Sequence, residues 1–124
     1  SKPVLIYNSS VSAMSCDKIF SFGESHIHAI YSNIEAFNNT NIIFSNRCFV
    51  NLHDQSSIYS MYNSVIIAKD KSIVKDEINE VKNCIIYAFN DSKIKIFGDD
   101  DTIINYVNKY NIESCGRSKI FQLI

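Results

Sequence analysis

The sequence lacks several features that would place it in a familiar class of protein. Its 124 residues include no Trp, one Pro and three Gly, and the formal net charge is −1. There is no surplus of Lys and Arg to follow a phosphate backbone, so nucleic acid is not an expected partner. No apolar run approaches the ~20 residues of a membrane-spanning helix, so no membrane span is expected. A chain of this length predicts one domain.

The four cysteines lack the spacing of a metal site. Cys16, Cys48, Cys84 and Cys115 form neither a CxxC pair nor a Cys/His ligand pattern. We interpret them as buried free thiols, which favours a cytoplasmic location because disulfides form in oxidising compartments. The three glycines are too far apart to cradle a phosphate, and no cofactor is expected.

The chain does contain a short repeat, clearest between residues 32 and 75. Val or Ile recurs every eight residues, and a small residue such as Ser32, Thr40 or Cys48 stands two positions before it. Two positions after the first five of these Val and Ile residues stand Ala36, Phe44, Leu52, Ser60 and Ala68. The recurring apolar residues are Ile34, Ile42, Val50, Ile58, Ile66 and Val74. Such periodicity decides the architecture before any other pattern is considered.

The repeat extends over residues 1–105 and is interrupted at 76–83. Side chains alternate along a strand, so the first, third and fifth positions of each unit should face one side. Stacked copies would then bury one continuous apolar column, as in a solenoid. The sequence predicts an all-β, single-stranded parallel β-helix with two or three units in each coil. An antiparallel meander is the competing fold, but it predicts Asn-Gly or Asp-Gly turns, which do not occur.

The last segment, 106–124, leaves the repeat and is predicted to cap the solenoid. It is expected to start with a short helix near 103–108. Its apolar residues could also fold back over the outer side of the coils.

Units such as SVIIAKDK, SNIEAFNN and CIIYAFND resemble the small-x-Val/Ile-x-Ala repeats of short-repeat right-handed β-helix proteins of phage and bacteria. The resemblance covers residues 1 to about 105. It implies a β-helix, but no catalytic motif accompanies it and no site residue can be carried over.

The outward positions of the later units are apolar, and contiguous apolar surface usually marks an interface. We therefore predict a protein-binding surface there, joined by charged residues of the interruption, which could be a solvated loop instead. The predicted residues are Ile43, Phe49, Tyr59, Val65, Ile67, Ile73, Lys75, Glu77, Glu80, Lys82, Ile85 and Tyr87.

Two further clusters are candidate sites of chemistry. His26 and His28 would share one strand face, as a metal pair requires, but no third ligand has helpful spacing, so no metal is expected. Asp99, Asp100 and Asp101 could serve a glycan-cleaving enzyme, although adjacent carboxylates after Gly98 are more typical of a solvated turn.

The sequence thus favours a non-enzymatic inhibitor or adaptor that binds a protein partner in the cytoplasm. The resemblance implies that it is phage-encoded and acts on a host enzyme. The alternatives are a structural or adhesive fragment of a fibre or cell-surface protein, and a carbohydrate-active enzyme. Pairing of two copies of the chain is a further expectation, because no cap is evident before Pro3.

Overall fold

A computed structural model describes residues 2–76 and 78–123, and they form a parallel β-solenoid of about seven coils. Each coil contributes one strand to each of two parallel sheets. In the regular part of the solenoid neighbouring coils are sixteen residues apart, as in the pairing of Ile34 with Val50 and of Val50 with Ile66. Two eight-residue units therefore make one coil. The predicted solenoid is confirmed.

Sheet A runs through eight strands in spatial order, each pairing with the next in the same register. These strands are β1 (Val4–Tyr7), β3 (Ile19–Phe22), β5 (Asn33–Ala36), β7 (Phe49–Leu52), β9 (Val65–Ala68), β12 (Ile85–Ala88), β14 (Ile103–Tyr106) and β16 (Lys119–Gln122).

Sheet B is less regular. Its strands are β2 (Ser10–Met14), β4 (His26–Ile30), β6 (Asn41–Asn46), β8 (Ser57–Tyr62), β10 (Ile73–Lys75), β11 (Val81–Lys82), β13 (Lys93–Lys95) and β15 (Ile112–Ser114). β10 pairs with the first half of β8 and β11 with its second half. The interruption of the repeat is thus an excursion from the middle of one rung.

The core is the predicted column of Val and Ile from both sheets. Ile34, Val50 and Ile66 of sheet A and Ile42 and Ile58 of sheet B are all completely buried. A β-branched side chain suits this position because it packs well on the pleated surface of a strand. The small residues beside the column are buried as well, and Ser32, Thr40 and Cys48 are examples.

The fifth position of the unit does not face inward in two strands of sheet B. Phe44 and Ser60 are half-exposed, and Ser45 and Met61 are buried in their place. The pairing of β4 with β6 shifts by one residue between Ile27 and His28, because β6 carries an extra residue there. An extra residue in one strand of a pair is a β-bulge, and it reverses which of the following side chains face the core.

The predicted short helix near 103–108 is wrong, since Ile103–Tyr106 forms strand β14 and a 3₁₀ turn follows at Lys109–Asn111. The described part of the final segment adds β15 and β16, which form the last rung of each sheet. It lies at the end of the solenoid and does not cross the outer sides of the coils.

Turns join the sheets through residues with positive φ. Where sheet A leads into sheet B, the turn residues include Asn38, Asp54, Asp70 and Asn90, with φ between 55° and 59°. Asn and Asp tolerate this left-handed conformation better than other non-Gly residues. Each of these side chains also accepts a hydrogen bond from a backbone N–H of the preceding coil, as Asp54 does from Asn38 at 2.7 Å. The result is a polar ladder along one edge.

Candidate interaction surface

Five of the predicted binding residues share the outer side of sheet A. Phe49, Val65 and Ile85 pair in successive strands, and Ile67 pairs with Tyr87 in the neighbouring column. Phe49 is 41% exposed and Ile85 38% exposed, and the other three are half-buried. They form an apolar surface over β7, β9 and β12, interrupted by Asn51 of β7, which we call the sheet A patch.

The same columns continue beyond the predicted residues. Ile103 pairs with Ile85, and Phe121, which is 53% exposed, stands one strand beyond Asn105 in the column of Tyr87. Ile85 and Ile103 are eighteen residues apart, so the regular sixteen-residue coil would not by itself have assigned both residues to these columns.

The other predicted residues lie elsewhere. Ile43, Tyr59, Ile73 and Lys75 belong to strands of sheet B, on the other side of the core. Alternate units enter alternate sheets because two units make one coil. The twelve predicted residues therefore do not form one surface, and the apolar ones are divided between two.

Glu80 and Lys82 belong to the excursion, and Glu77 lies outside the described residues. Asp76, which sequence reasoning passed over, is buried at the start of this segment. Its Oδ1 accepts hydrogen bonds from the backbone N–H groups of Ile78 at 3.1 Å and Glu80 at 2.7 Å. The carboxylate of Glu80 bonds to the hydroxyl of Ser60. Hydrogen bonds to the carboxylates of Asp76 and Glu80 therefore hold the excursion against sheet B.

A polar cluster occupies the outer side of sheet A below the sheet A patch. Glu35 contacts Lys18 at 3.2 Å, Asn51 at 2.7 Å and His53 Nε2 at 2.8 Å. Burial acts to raise the pKa of Glu35, but the hydrogen bonds from His53, Lys18 and Asn51, together with the charge of Lys18, outweigh it and hold the pKa below its usual value. The cluster is a satisfied network around one ionised carboxylate.

His53 is a residue that sequence reasoning left without a role. Its ring stacks on Phe37, with the ring centroids 4.5 Å apart, and Phe37 stacks on Phe22 at 5.1 Å. These three residues hold equivalent positions in successive coils of sheet A. The coil spacing is the signal that would have joined them.

Two bulky residues occupy the turns that lead from sheet B into sheet A. Tyr31 has φ 52° and Arg47 φ 55°, where later coils place Asn63 and Asn83. A left-handed conformation costs a non-Gly residue on the order of 1 kcal/mol, and Asn relieves part of that cost. The Arg47 guanidinium donates to the Tyr31 hydroxyl at 3.0 Å and lies 5.4 Å from the ring centroid. Both side chains are exposed.

Asp99, the first of the three adjacent Asp residues, is held by hydrogen bonds within the fold. Asp99 Oδ1 accepts hydrogen bonds from the Thr102 hydroxyl at 2.6 Å and from the Asn83 backbone N–H at 3.3 Å. Burial acts to raise the pKa of Asp99, yet these hydrogen bonds outweigh it and hold the pKa below its usual value. Asp100 lies 3.6 Å from Arg117, with both side chains exposed. A general acid of a glycosidase needs the opposite shift, a raised pKa.

His26 and His28 are exposed on β4, and within residues 2–76 and 78–123 no group of three ligand side chains could hold a metal ion. All four cysteines are free, and Cys48 and Cys84 are buried. Burial raises the pKa of Cys84 to about 11, so its thiolate is scarce at neutral pH.

Comparisons with known proteins give no relatives: no family model, no curated protein and no solved structure matches the chain. Among the described residues, no helix is long and apolar enough to cross a membrane.

Proposed function

We propose that the chain is a non-enzymatic binding protein that presents the sheet A patch to a protein partner. The observation that carries the proposal is the change along one side of one sheet. In the columns where β5 carries Asn33 and Glu35, β9 and β12 carry only Val, Ile and Tyr. Around β5 this side carries a hydrogen-bonded polar network centred on Glu35, whereas β9 and β12 leave it apolar. Such contiguous apolar surface is typical of an interface.

Within this proposal the protein is an inhibitor or adaptor that acts in the cytoplasm on a host protein and is encoded by a phage. The buried free thiols of Cys48 and Cys84 support a reducing compartment. The short coil supports kinship with short-repeat right-handed β-helix proteins. We favour binding over glycan hydrolysis because Asp99 Oδ1 is already engaged by structural hydrogen bonds from Thr102 and Asn83.

The experiment that tests the proposal places a photo-crosslinking amino acid at position 67 of the sheet A patch. The matched control carries it at Ser12, an exposed position on β2 of sheet B. Both proteins are expressed in the source cell, irradiated and analysed by mass spectrometry. We expect one discrete protein adduct at position 67 and none at position 12.

The double variant Ile67→Lys and Tyr87→Lys provides the second arm. In a capture experiment it should lose the crosslinked protein, while a Ser10→Lys and Ser12→Lys control retains it. If position 67 crosslinks only to another copy of the chain, and the parent elutes as a dimer that the lysine pair dissociates, self-association replaces the proposed partner. Equal adducts at both positions would contradict the proposal.

A further inference from the structure

Tyr31 and Arg47 occupy turn positions at which Asn, found in later coils of the solenoid, would suit the backbone conformation better. Asn63 and Asn83 fill the equivalent turn in later coils, and Asn suits the left-handed conformation better than Tyr or Arg. The two bulky side chains are nevertheless exposed and stacked on each other. An unfavourable backbone conformation held at an exposed position is an observation that points toward function.

The pair lies beside the sheet A patch. Arg47 is two residues before Phe49, whose ring begins the outermost apolar column of the patch. Tyr and Arg are also enriched among the residues that dominate binding energy at protein interfaces. The turn and the patch therefore form a continuous surface with an apolar centre and an aromatic and cationic margin.

The patch alone is small. The three strands β7, β9 and β12, spaced ~4.8 Å apart and each four residues long, give a projected area of roughly 190 Å². A stable protein interface removes roughly 800 Å² from solvent on each partner. A partner of this protein must therefore contact surface beyond the patch, and the turn with Tyr31 and Arg47 borders it at Phe49.

The guanidinium of Arg47 has donors to spare. An Arg side chain carries five N–H donors, and among the described residues the Arg47 side chain donates to the Tyr31 hydroxyl. The neighbouring acid Glu35 is already held by Lys18, Asn51 and His53. The remaining donors match the planar geometry of a carboxylate.

We propose that Tyr31 and Arg47 anchor the partner, and that the partner presents an acidic side chain next to apolar ones. This inference rests on the proposed function of the sheet A patch. The Tyr31 ring holds the guanidinium in place, Arg47 binds the carboxylate through its free N–H donors, and the apolar side chains of the partner pack on Phe49 and Val65.

The binding test uses two synthetic peptides of equal length, one of alternating Leu and Glu and the other of alternating Leu and Lys. Each is titrated into ¹⁵N-labelled protein. We expect the acidic peptide to shift the amide signals of Arg47, Phe49 and Val65 saturably, and the basic peptide to shift them little. Arg47→Gln should weaken the acidic peptide roughly ten-fold, as the loss of an interface anchor does. Arg117→Gln, which removes another exposed Arg, should leave its affinity unchanged.

Two outcomes overturn the inference and keep it distinct from the proposed function. If the acidic peptide shifts the patch equally in the parent and in Arg47→Gln, the patch binds and the anchor is wrong. If neither peptide gives a saturable shift, or both bind equally, the proposal that the partner is acidic is wrong. The photo-crosslinking experiment at position 67 still tests separately whether the sheet A patch binds a protein.

A stability measurement without any ligand tests whether the left-handed backbone conformation of Tyr31 and Arg47 is unfavourable. The variant with Tyr31→Asn and Arg47→Asn should melt at a higher temperature than the parent, because Asn suits both turns. A lower melting temperature would show that the pair stabilises the fold, and the inference from strain would fail.

Discussion

The two sheets of this solenoid are built from the same repeat, yet they differ in regularity. Sheet A keeps one register through eight strands, whereas sheet B shifts register at Ile27/His28 and at Ile94/Lys95 and interrupts one rung between β10 and β11. Every described departure from the sixteen-residue coil within residues 19–95 falls on the sheet B side or in its turns.

The difference shows how a solenoid can absorb irregular sequence without losing a flat surface. A bulge bends the strand that carries it and increases the local twist. Because the bulges and the excursion lie in sheet B, the outer columns of sheet A stay aligned from Phe49 through Val65 to Ile85. The regular side is the side that carries the proposed interface.

The largest expected effect comes from placing a charged side chain in the buried apolar column that both sheets share. Ile86→Asp in sheet A and Ile58→Asp in sheet B should each unfold the protein, because both side chains are completely buried and an unpaired charge there costs several kcal/mol. Circular dichroism and gel filtration measure the loss. Ile85→Asp is the matched control, since Ile85 is the exposed neighbour, and it should remain folded. A folded Ile58→Asp would contradict the buried register.

A smaller change compares how well the two sheets relax around a cavity. Leu52→Ala in sheet A should cost about 4 kcal/mol and Met61→Ala in sheet B about 2–3 kcal/mol, although both side chains are completely buried. Met61 pairs with Val81 of the short strand β11, at the interrupted rung, so its surroundings should close the cavity more easily. Urea unfolding of both variants gives the comparison, and a larger loss at Met61 would mean that sheet B is the more rigid.

The excursion can be loosened while sheet A is left unchanged. Asp76→Ala removes the buried acceptor of the Ile78 and Glu80 N–H groups and should cost about 2 kcal/mol. Hydrogen exchange should rise at residues 78–80, with no change in the amides of β7 and β9. Faster exchange in sheet A would show that the two sides are coupled.

The smallest expected effect concerns the pH dependence of sheet A. The folded pKa of Glu35 is lowered, so its contribution is complete above the unfolded value of about 4.3 and is lost as the pH falls through the folded pKa. Glu35→Gln should therefore reduce stability at pH 7 by about 1 kcal/mol and make little difference near pH 3. Melting curves across this range measure it. A constant difference at every pH would assign the effect to packing.

The solenoid and its core could be predicted because every repeat unit carries the pattern of residues that makes it a strand with one buried side. A small residue, a β-branched residue and a second small residue recur at strand spacing, and Ile34, Ile42 and Ile58 are buried as expected. The binding surface could not be assembled in the same way. Units in both sheets follow one pattern, so nothing in the pattern shows that Ile67 and Ile73 face opposite sides.

Local insertions were the second obstacle. One extra residue in β6 relative to β4 exposes Phe44 and buries Ser45, and its trace in the sequence is the seven-residue spacing of Ile27 and Ile34. His53 was missed for a related reason, because its partners Glu35 and Phe37 lie one coil earlier in sequence. Contacts between coils become visible only when the length of the coil is known.

The ladder of turn side chains has a consequence for the ageing of the protein. Asparagine slowly loses its side-chain amide by hydrolysis, and the direct product is aspartate. At Asn38 and Asn90 the side-chain oxygen accepts a backbone N–H, and Asp54 and Asp70 fill the same place in neighbouring coils. Conversion of Asn38 to aspartate would keep this acceptor but lose the amide that faces Asp54 Oδ2 at 3.4 Å, and it would set two carboxylates side by side. Because like charges at this distance repel, a common form of chemical damage should loosen this edge of the solenoid.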